Sequence, residues 1–95
     1  MKTFSVIDNN KPMQFFTNCI GCVLAPKKMD QVVIITANGD NVTVGIQLPH
    51  ALSVKLYDKI LEAAKIGGSV NIPDMQDMDD DEIRVAVEKI EVTAD

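Results

Sequence analysis

The chain has 95 residues, of which 46% are hydrophobic and 24% are charged, and its formal net charge at pH 7 is −5. A chain of this length forms one small domain with a single core, and its negative charge argues against a protein that coats nucleic acid by charge alone. No stretch approaches the ~18 apolar residues that a membrane-spanning helix needs, and the first ten residues lack the apolar core of a signal peptide, so we expect a cytoplasmic protein.

The first predicted element is a strand over residues 2–7, in which polar and apolar residues alternate. The sequence that follows, DNNKP, is typical of a turn, because Asn and Asp side chains can bond their own backbone and proline fixes its φ angle. We expect a hairpin that leads into a long second strand over residues 13–25.

This second strand contains both cysteines of the chain, Cys19 and Cys22, in the sequence CIGC. A zinc site needs four ligands, and only His50 and carboxylates are left to complete one. A redox pair is expected at the start of a helix, where the pKa of a thiol falls. In a strand, the two thiols lie on opposite faces and can converge only if Gly21 forms a bulge. We therefore expect at least one buried cysteine, and no metal or cofactor.

The clearest pattern in the chain is QVVIITANGDNVTVGIQLP, residues 31–49. Two runs of β-branched residues flank an Asn-Gly-Asp-Asn turn at residues 38–41, where glycine and its neighbours accept positive φ at low cost. In the return strand, the apolar residues at positions 42, 44, 46 and 48 alternate with small or polar ones. A hairpin with one core face is predicted here.

A helix is predicted next. Pro49 suits its first turn, and Leu52, Leu56, Ile60 and Ala64 recur at every fourth position, which makes an apolar stripe. The helix is expected to end at KIGG, where one of the two glycines can adopt the left-handed conformation. The only histidine, His50, is expected to be a surface or capping residue, because no nucleophile and orienting acid accompany it.

The sequence SVNIP, residues 69–73, predicts a short strand, and the acidic segment over residues 74–82 is expected to be a solvated loop. The last stretch, DEIRVAVEKIEVTAD, fits two structures. Ile83, Val85 and Val87 alternate as in a strand, whereas Ile83, Val87 and Ile90 would share one face of a helix. Such a helix would begin at one of the three consecutive aspartates, Asp79, Asp80 or Asp81. The β-branched content favours the strand.

The order of these elements resembles the oligonucleotide- and oligosaccharide-binding (OB) fold. CIGCVLAPKKMDQVVIITANGDNVTVGI is similar to its first three strands, and GGSVNIP with EIRVAVEKIEV is similar to its last two. The resemblance implies a mainly β, α+β fold: a small five-stranded antiparallel barrel over residues 13–93, with one helix and an extra strand and turn at residues 1–12. The alternative is a helix packed on an antiparallel sheet. The single domain spans residues 1–95.

The resemblance also implies that the ligand is single-stranded nucleic acid, bound on the outer face of the hairpin and on the loops beside it. Lys27 and Lys28 would contact phosphates, Phe15 would stack on a base, and Thr43 and Gln47 would line the polar face. The sequence departs from this pattern because the hairpin offers no aromatic residue for stacking, and the loop before the last strand is acidic.

The second hypothesis is a protein-interaction module or inhibitor that docks on a basic partner through its acidic loop. An exposed sheet edge would serve the same purpose and makes a homodimer plausible. No set of nucleophile, base and electrophile can be assembled, so we do not expect an enzyme, and the acidic residues lack the spacing of a calcium loop. The predicted contact residues are Asp77, Asp79, Asp80, Asp81 and Glu82.

Overall fold

The computed structural model of this chain describes residues 3–16, 23–24, 33–37 and 40–94, which form an α+β structure. Seven strands and two helices occur in these ranges. In chain order they are β1 (Thr3–Asp8), β2 (Lys11–Phe16), β3 (Val23–Leu24), β4 (Val33–Ala37), β5 (Asp40–Val44), α1 (His50–Ile66), β6 (Ser69–Ile72), α2 (Asp80–Glu88) and β7 (Val92–Thr93).

The strands form two open sheets, with the orders β2-β1-β6-β7 and β3-β4-β5. Among the described residues, neither sheet closes into the predicted five-stranded barrel. The first strand, predicted as an addition outside the core, lies in the interior of the four-stranded sheet. It pairs in parallel with β6, and Val6 is opposite Val70, both of which are fully buried. This register places the apolar residues of both strands on the same face.

The turn predicted at DNNKP is confirmed. Asn9 and Asn10 have φ angles of 51° and 65°, as the two central residues of a type I′ turn require, and Asp8 pairs with Lys11 on either side. Pro12 is tolerated in β2 because this strand lies at the edge of the sheet. Residues 17–22 and 25, which complete the predicted second strand, lie outside the described residues.

The second predicted hairpin is also confirmed in its pairing: β4 and β5 are antiparallel, and Ala37 is opposite Asp40. Its turn residues Asn38 and Gly39 lie outside the described residues. The return strand is shorter than predicted, because Gly45 leaves the strand conformation with a φ of 74°. Leu48 nevertheless reaches the core, where 1% of its surface is exposed.

The predicted helix is α1. Pro49 is its N-cap and not a residue of its first turn, while Gly67 ends it in the left-handed conformation, as predicted. The amide N–H groups of Gly67 and Gly68 both donate to the carbonyl oxygen of Ala63. The helix packs on the four-stranded sheet, and their shared core buries Phe4, Val6, Leu56, Ile60, Ala63, Ala64, Val70 and Ile72.

The strand preferred for residues 82–93 is wrong over most of its length, because residues 80–88 form α2; only Val92–Thr93 at its end form a strand, β7. The reason is a capping box at the start of α2. The Asp79 carboxylate accepts from the Glu82 amide at 2.8 Å, and the Glu82 carboxylate accepts from the Asp79 amide at 3.5 Å. Ile83 and Val87 are buried on the inner face of this helix, as the helical alternative predicted. No helix in the described ranges is long and apolar enough to span a membrane.

Candidate interaction surface

The residues predicted to bind nucleic acid lie in different parts of the structure. Phe15 is half-buried on β2, and the centroid of its ring is 5.4 Å from that of Phe4, so part of its surface packs on the core. Thr43 and Gln47 are exposed, the first on β5 and the second just after it. Phe15 and Thr43 therefore belong to different sheets. Lys27 and Lys28 lie outside the described residues.

Cys19, Gly21 and Cys22 also lie outside the described residues, so the predicted cysteine geometry stays a prediction. Within the ranges that are described, no three His, Cys, Asp or Glu side chains are grouped as metal ligands. His50 is exposed at the first residue of α1. Asp8 has a structural contact, since its carboxylate accepts from the amide N–H of Gly45 at 3.0 Å and joins the end of β1 to the end of β5.

The acidic segment, residues 74–82, concentrates the negative charge of the chain. It holds six of the fourteen acidic residues, which leaves eight acidic against nine basic residues in the rest of the chain. Five of the six were predicted as contact residues, and all five are exposed: Asp77, Asp79, Asp80, Asp81 and Glu82. The net charge of −5 is thus largely a property of this one segment.

The acidic segment is largely exposed, as expected of a solvated loop, and Asp79 forms the helix cap that was the alternative for the aspartates; hydrogen bonds order the backbone of the segment. Met75 is buried in the core with 1% of its surface exposed, and its carbonyl oxygen accepts from the Met78 amide. The Asp74 carboxylate accepts from the amide of Gln76 at 3.1 Å, which fixes the turn between them. The capping box then fixes the start of α2. These contacts fix the backbone that carries the exposed carboxylates.

Asp80, Asp81 and Glu82 occupy the first turn of α2, where the helix dipole favours negative charge. Asp81 lies 3.4 Å from the guanidinium of Arg84, but 88% of its side chain is exposed. A pair as exposed as this contributes roughly 0.2–1 kcal/mol at most, because water screens it. The carboxylate of Asp81 is therefore accessible to a binding partner.

An open groove of about 470 Å³ runs along the outer face of α2; we call it the α2 groove. Its lining comprises two rows with a spacing of four residues: Met78, Glu82 and Ala86 in one, and Asp81, Val85 and Lys89 in the other. Val85 is 43% exposed, which is unusual for a residue that favours burial. The alternating pattern of residues 83–87 hides the groove, because it places Val85 on a strand face. The signal that could have revealed it is the Asp-x-x-Glu capping box, which predicts the helix and hence the four-residue spacing.

The surface of α2 thus combines a group of carboxylates on an ordered backbone, an exposed apolar side chain and a lysine at the far end. This combination is suited to binding another macromolecule by charge and by apolar contact. No protein-family model, curated protein or solved structure matches this chain.

Proposed function

We propose that the protein is a small non-enzymatic interaction module that docks on a basic partner protein through the acidic segment. The observation that carries this proposal is the ordering of the segment by the Asp79–Glu82 capping box. Because Asp77, Asp80 and Asp81 are exposed beside a fixed helix end, a partner would not have to order this backbone when it binds.

The charge distribution supports the same proposal. No basic residue occurs between Asp74 and Ile83, and the first one after the segment is Arg84. A compact group of like charges produces a local field that attracts a basic surface and increases the rate of encounter. Binding of this kind is expected to weaken as salt is added, since the carboxylates are exposed to solvent.

A charge-neutralised variant tests the proposal. The variant combines three substitutions in one chain: Asp77→Asn, Asp80→Asn and Asp81→Asn. Together they remove three exposed charges and leave the capping box intact. We expect the affinity for a fluorescein-labelled decalysine peptide to fall about tenfold, since three exposed ion pairs are lost at roughly 0.5 kcal/mol each. Fluorescence anisotropy at low salt measures the change.

The matched control is a second triple variant, Asp58→Asn, Glu62→Asn and Glu91→Asn, which changes the net charge by the same amount at other exposed positions. We expect it to retain most of the affinity. Equal losses in the two triple variants would mean that only net charge attracts the peptide, and the proposal for the acidic segment would fail.

A second candidate function is the binding of single-stranded nucleic acid on an OB-like face. This candidate assumes the five-stranded OB barrel over residues 13–93. Two observations support it. Thr43 on the edge strand β5 and Gln47 just after that strand have exposed polar side chains, and in the sequence Lys27 and Lys28 lie between the residues of β3 and those of β4. A labelled oligothymidylate, titrated at low and at moderate salt, tests this candidate. Binding that is lost in the double variant Lys27→Ala/Lys28→Ala would support this candidate. No binding of the oligonucleotide at micromolar protein in low salt would exclude it.

A further inference from the structure

The α2 groove has two features that a binding site for basic proteins does not require. Its centre is apolar, with Val85 exposed between the side chains of Asp81 and Lys89. Its ends also have opposite charge, because Asp81 and Glu82 lie in the first turn of α2 and Lys89 follows the last. A purely cationic partner would bind at the acidic end of the groove, and the end that carries Lys89 would add nothing to its affinity.

The spacing of these charges makes the α2 groove complementary to itself. Asp81 precedes Val85 by four residues, and Lys89 follows it by four. If a second copy of α2 runs in the opposite direction with the two Val85 side chains in contact, each Lys89 meets the acidic end of the other helix. Helices commonly pack in this way, with a row of side chains at four-residue spacing lying in the groove beside the equivalent row.

Ala86 makes room for this arrangement. The row Asp81-Val85-Lys89 of one copy would lie between the two rows that line the groove of the other, where the small side chain of Ala86 leaves a depression beside Val85. Each Lys89 would then lie between the carboxylates of Asp81 and Glu82. A twofold axis gives both copies the same contacts, as in most homodimers.

We propose that the α2 groove binds the α2 helix of a second copy of this chain, in an antiparallel, twofold-symmetric dimer. The inference goes beyond the proposed function and does not depend on it. Asp80 points away from the groove, by about 100° around the helix from Asp81, so it stays exposed in the dimer. A basic partner could still bind there.

The dimer is expected to be weak. A nine-residue helix is only about 14 Å long, so the contact buries less than the roughly 1,200–2,000 Å² of a stable interface. We expect a dissociation constant on the order of 100 μM to 1 mM, as in other small and transient contacts. Sedimentation equilibrium at low salt, from about 10 μM to 2 mM protein, covers that range.

Charge reversal provides the decisive test. Lys89→Glu places like charges together at both ends of the dimer and should weaken association about tenfold or more, whereas Asp81→Lys should weaken it about threefold. An equimolar mixture of these two variants should associate more strongly than either one alone. In the mixed dimer, one end regains the attraction between Lys89 and the two carboxylates, and the other end is no worse than in the Asp81→Lys homodimer.

Asp80→Lys is the matched control, since it changes the charge by the same amount in the same turn but outside the α2 groove. Its dimer should keep its affinity within about twofold. Val85→Asp should abolish association, and circular dichroism checks that the helix content of each variant is unchanged. None of these changes removes the capping box. Asp80→Lys and Asp81→Lys both place a positive charge in the first turn of α2, where the helix dipole disfavours it, so the control has the same unfavourable interaction with the dipole as the variant it matches.

Three results would overturn the proposal. The protein could stay monomeric at 2 mM, or it could form a dimer that Lys89→Glu and Val85→Asp leave intact, which would assign association to another surface such as a sheet edge. It could also stay monomeric while Val85→Asp weakens binding of the decalysine peptide, which would assign the groove to the basic partner. Failure of the dimer leaves the peptide experiment unaffected, so the two proposals can fail separately.

Discussion

The two helices of this protein are stabilised in different ways. The 17-residue helix α1 has Pro49 as its N-cap, with no side-chain hydrogen bond there, and it buries five residues against the sheet. The nine-residue helix α2 buries only two, Ile83 and Val87, but it has a complete capping box and three acidic residues in its first turn. Tertiary burial therefore stabilises α1, and local interactions make a larger contribution to α2.

This difference explains where the candidate surface lies. The apolar face of α1 is used by the core, since Leu56, Ile60 and Ala63 have no exposed surface. The second helix needs less burial because its N-terminus is capped, so one of its faces can remain open. Exposed Val85 and the carboxylates of the first turn lie on that helix. Of the two helices, α2 depends less on burial in the core, and its open face carries Val85 and the carboxylates of its first turn.

The largest expected effect comes from a truncation in the core face of α1. Ile60→Ala removes a fully buried side chain and should lower the free energy of unfolding by about 3–4 kcal/mol, because it loses apolar burial and leaves a cavity. Val85→Ala, on the open face of α2, should change it by less than about 0.5 kcal/mol. Urea denaturation of both variants measures the two values. Similar losses would show that Val85 supports the fold and would contradict its assignment to a binding surface.

A smaller effect is expected at the C-terminal end of α1, where Gly68 lies directly against β7. A Cβ atom added to Gly68 would collide with the carbonyl oxygen of Thr93, so the last strand would have to move. We expect Gly68→Ala to lower the free energy of unfolding by about 2–3 kcal/mol.

Gly67→Ala is the control for this prediction. Gly67 ends α1 with a φ of 67°, and an alanine there costs about 1 kcal/mol through the backbone alone. Urea denaturation ranks the two variants, and amide hydrogen exchange in β7 should accelerate only in Gly68→Ala. If Gly67→Ala were the more destabilising, backbone conformation would matter more here than the close approach of β7.

Local signals in the sequence were sufficient to predict several elements. Asn9 and Asn10 indicated the first turn, the β-branched runs indicated the second hairpin, and the stripe through Leu56 and Ile60 indicated α1. Each of these elements depends on residues close together in the chain. The α+β class follows from their order.

The parallel pairing of β1 with β6 could not be predicted in the same way. It joins Val6 to Val70, across more than half of the chain, and nothing in the local pattern of either strand specifies its partner. The resemblance to an OB barrel predicts a different arrangement, since it places β1 outside the core. The α2 groove is hidden in the sequence for a local reason, because the β-branched content of residues 83–92 favours a strand, whereas the cap at Asp79 favours the helix that forms.

The smallest of these predicted effects tests the statement that local interactions stabilise α2. Asp79→Ala removes the N-cap and should lower the free energy of unfolding by about 1 kcal/mol, whereas Asp79→Asn should cost only a few tenths, because asparagine also accepts from the Glu82 amide. Both variants lose the same charge near the positive end of the helix dipole, so the difference between them isolates the hydrogen bond. Urea denaturation and the helical signal in circular dichroism measure this difference.

Equal losses of stability in the two variants would mean that the charge of Asp79 matters more than its cap. The exposed carboxylates of the first turn would then stabilise α2 in the same way, and neutralising them for the binding experiment would require a correction for stability.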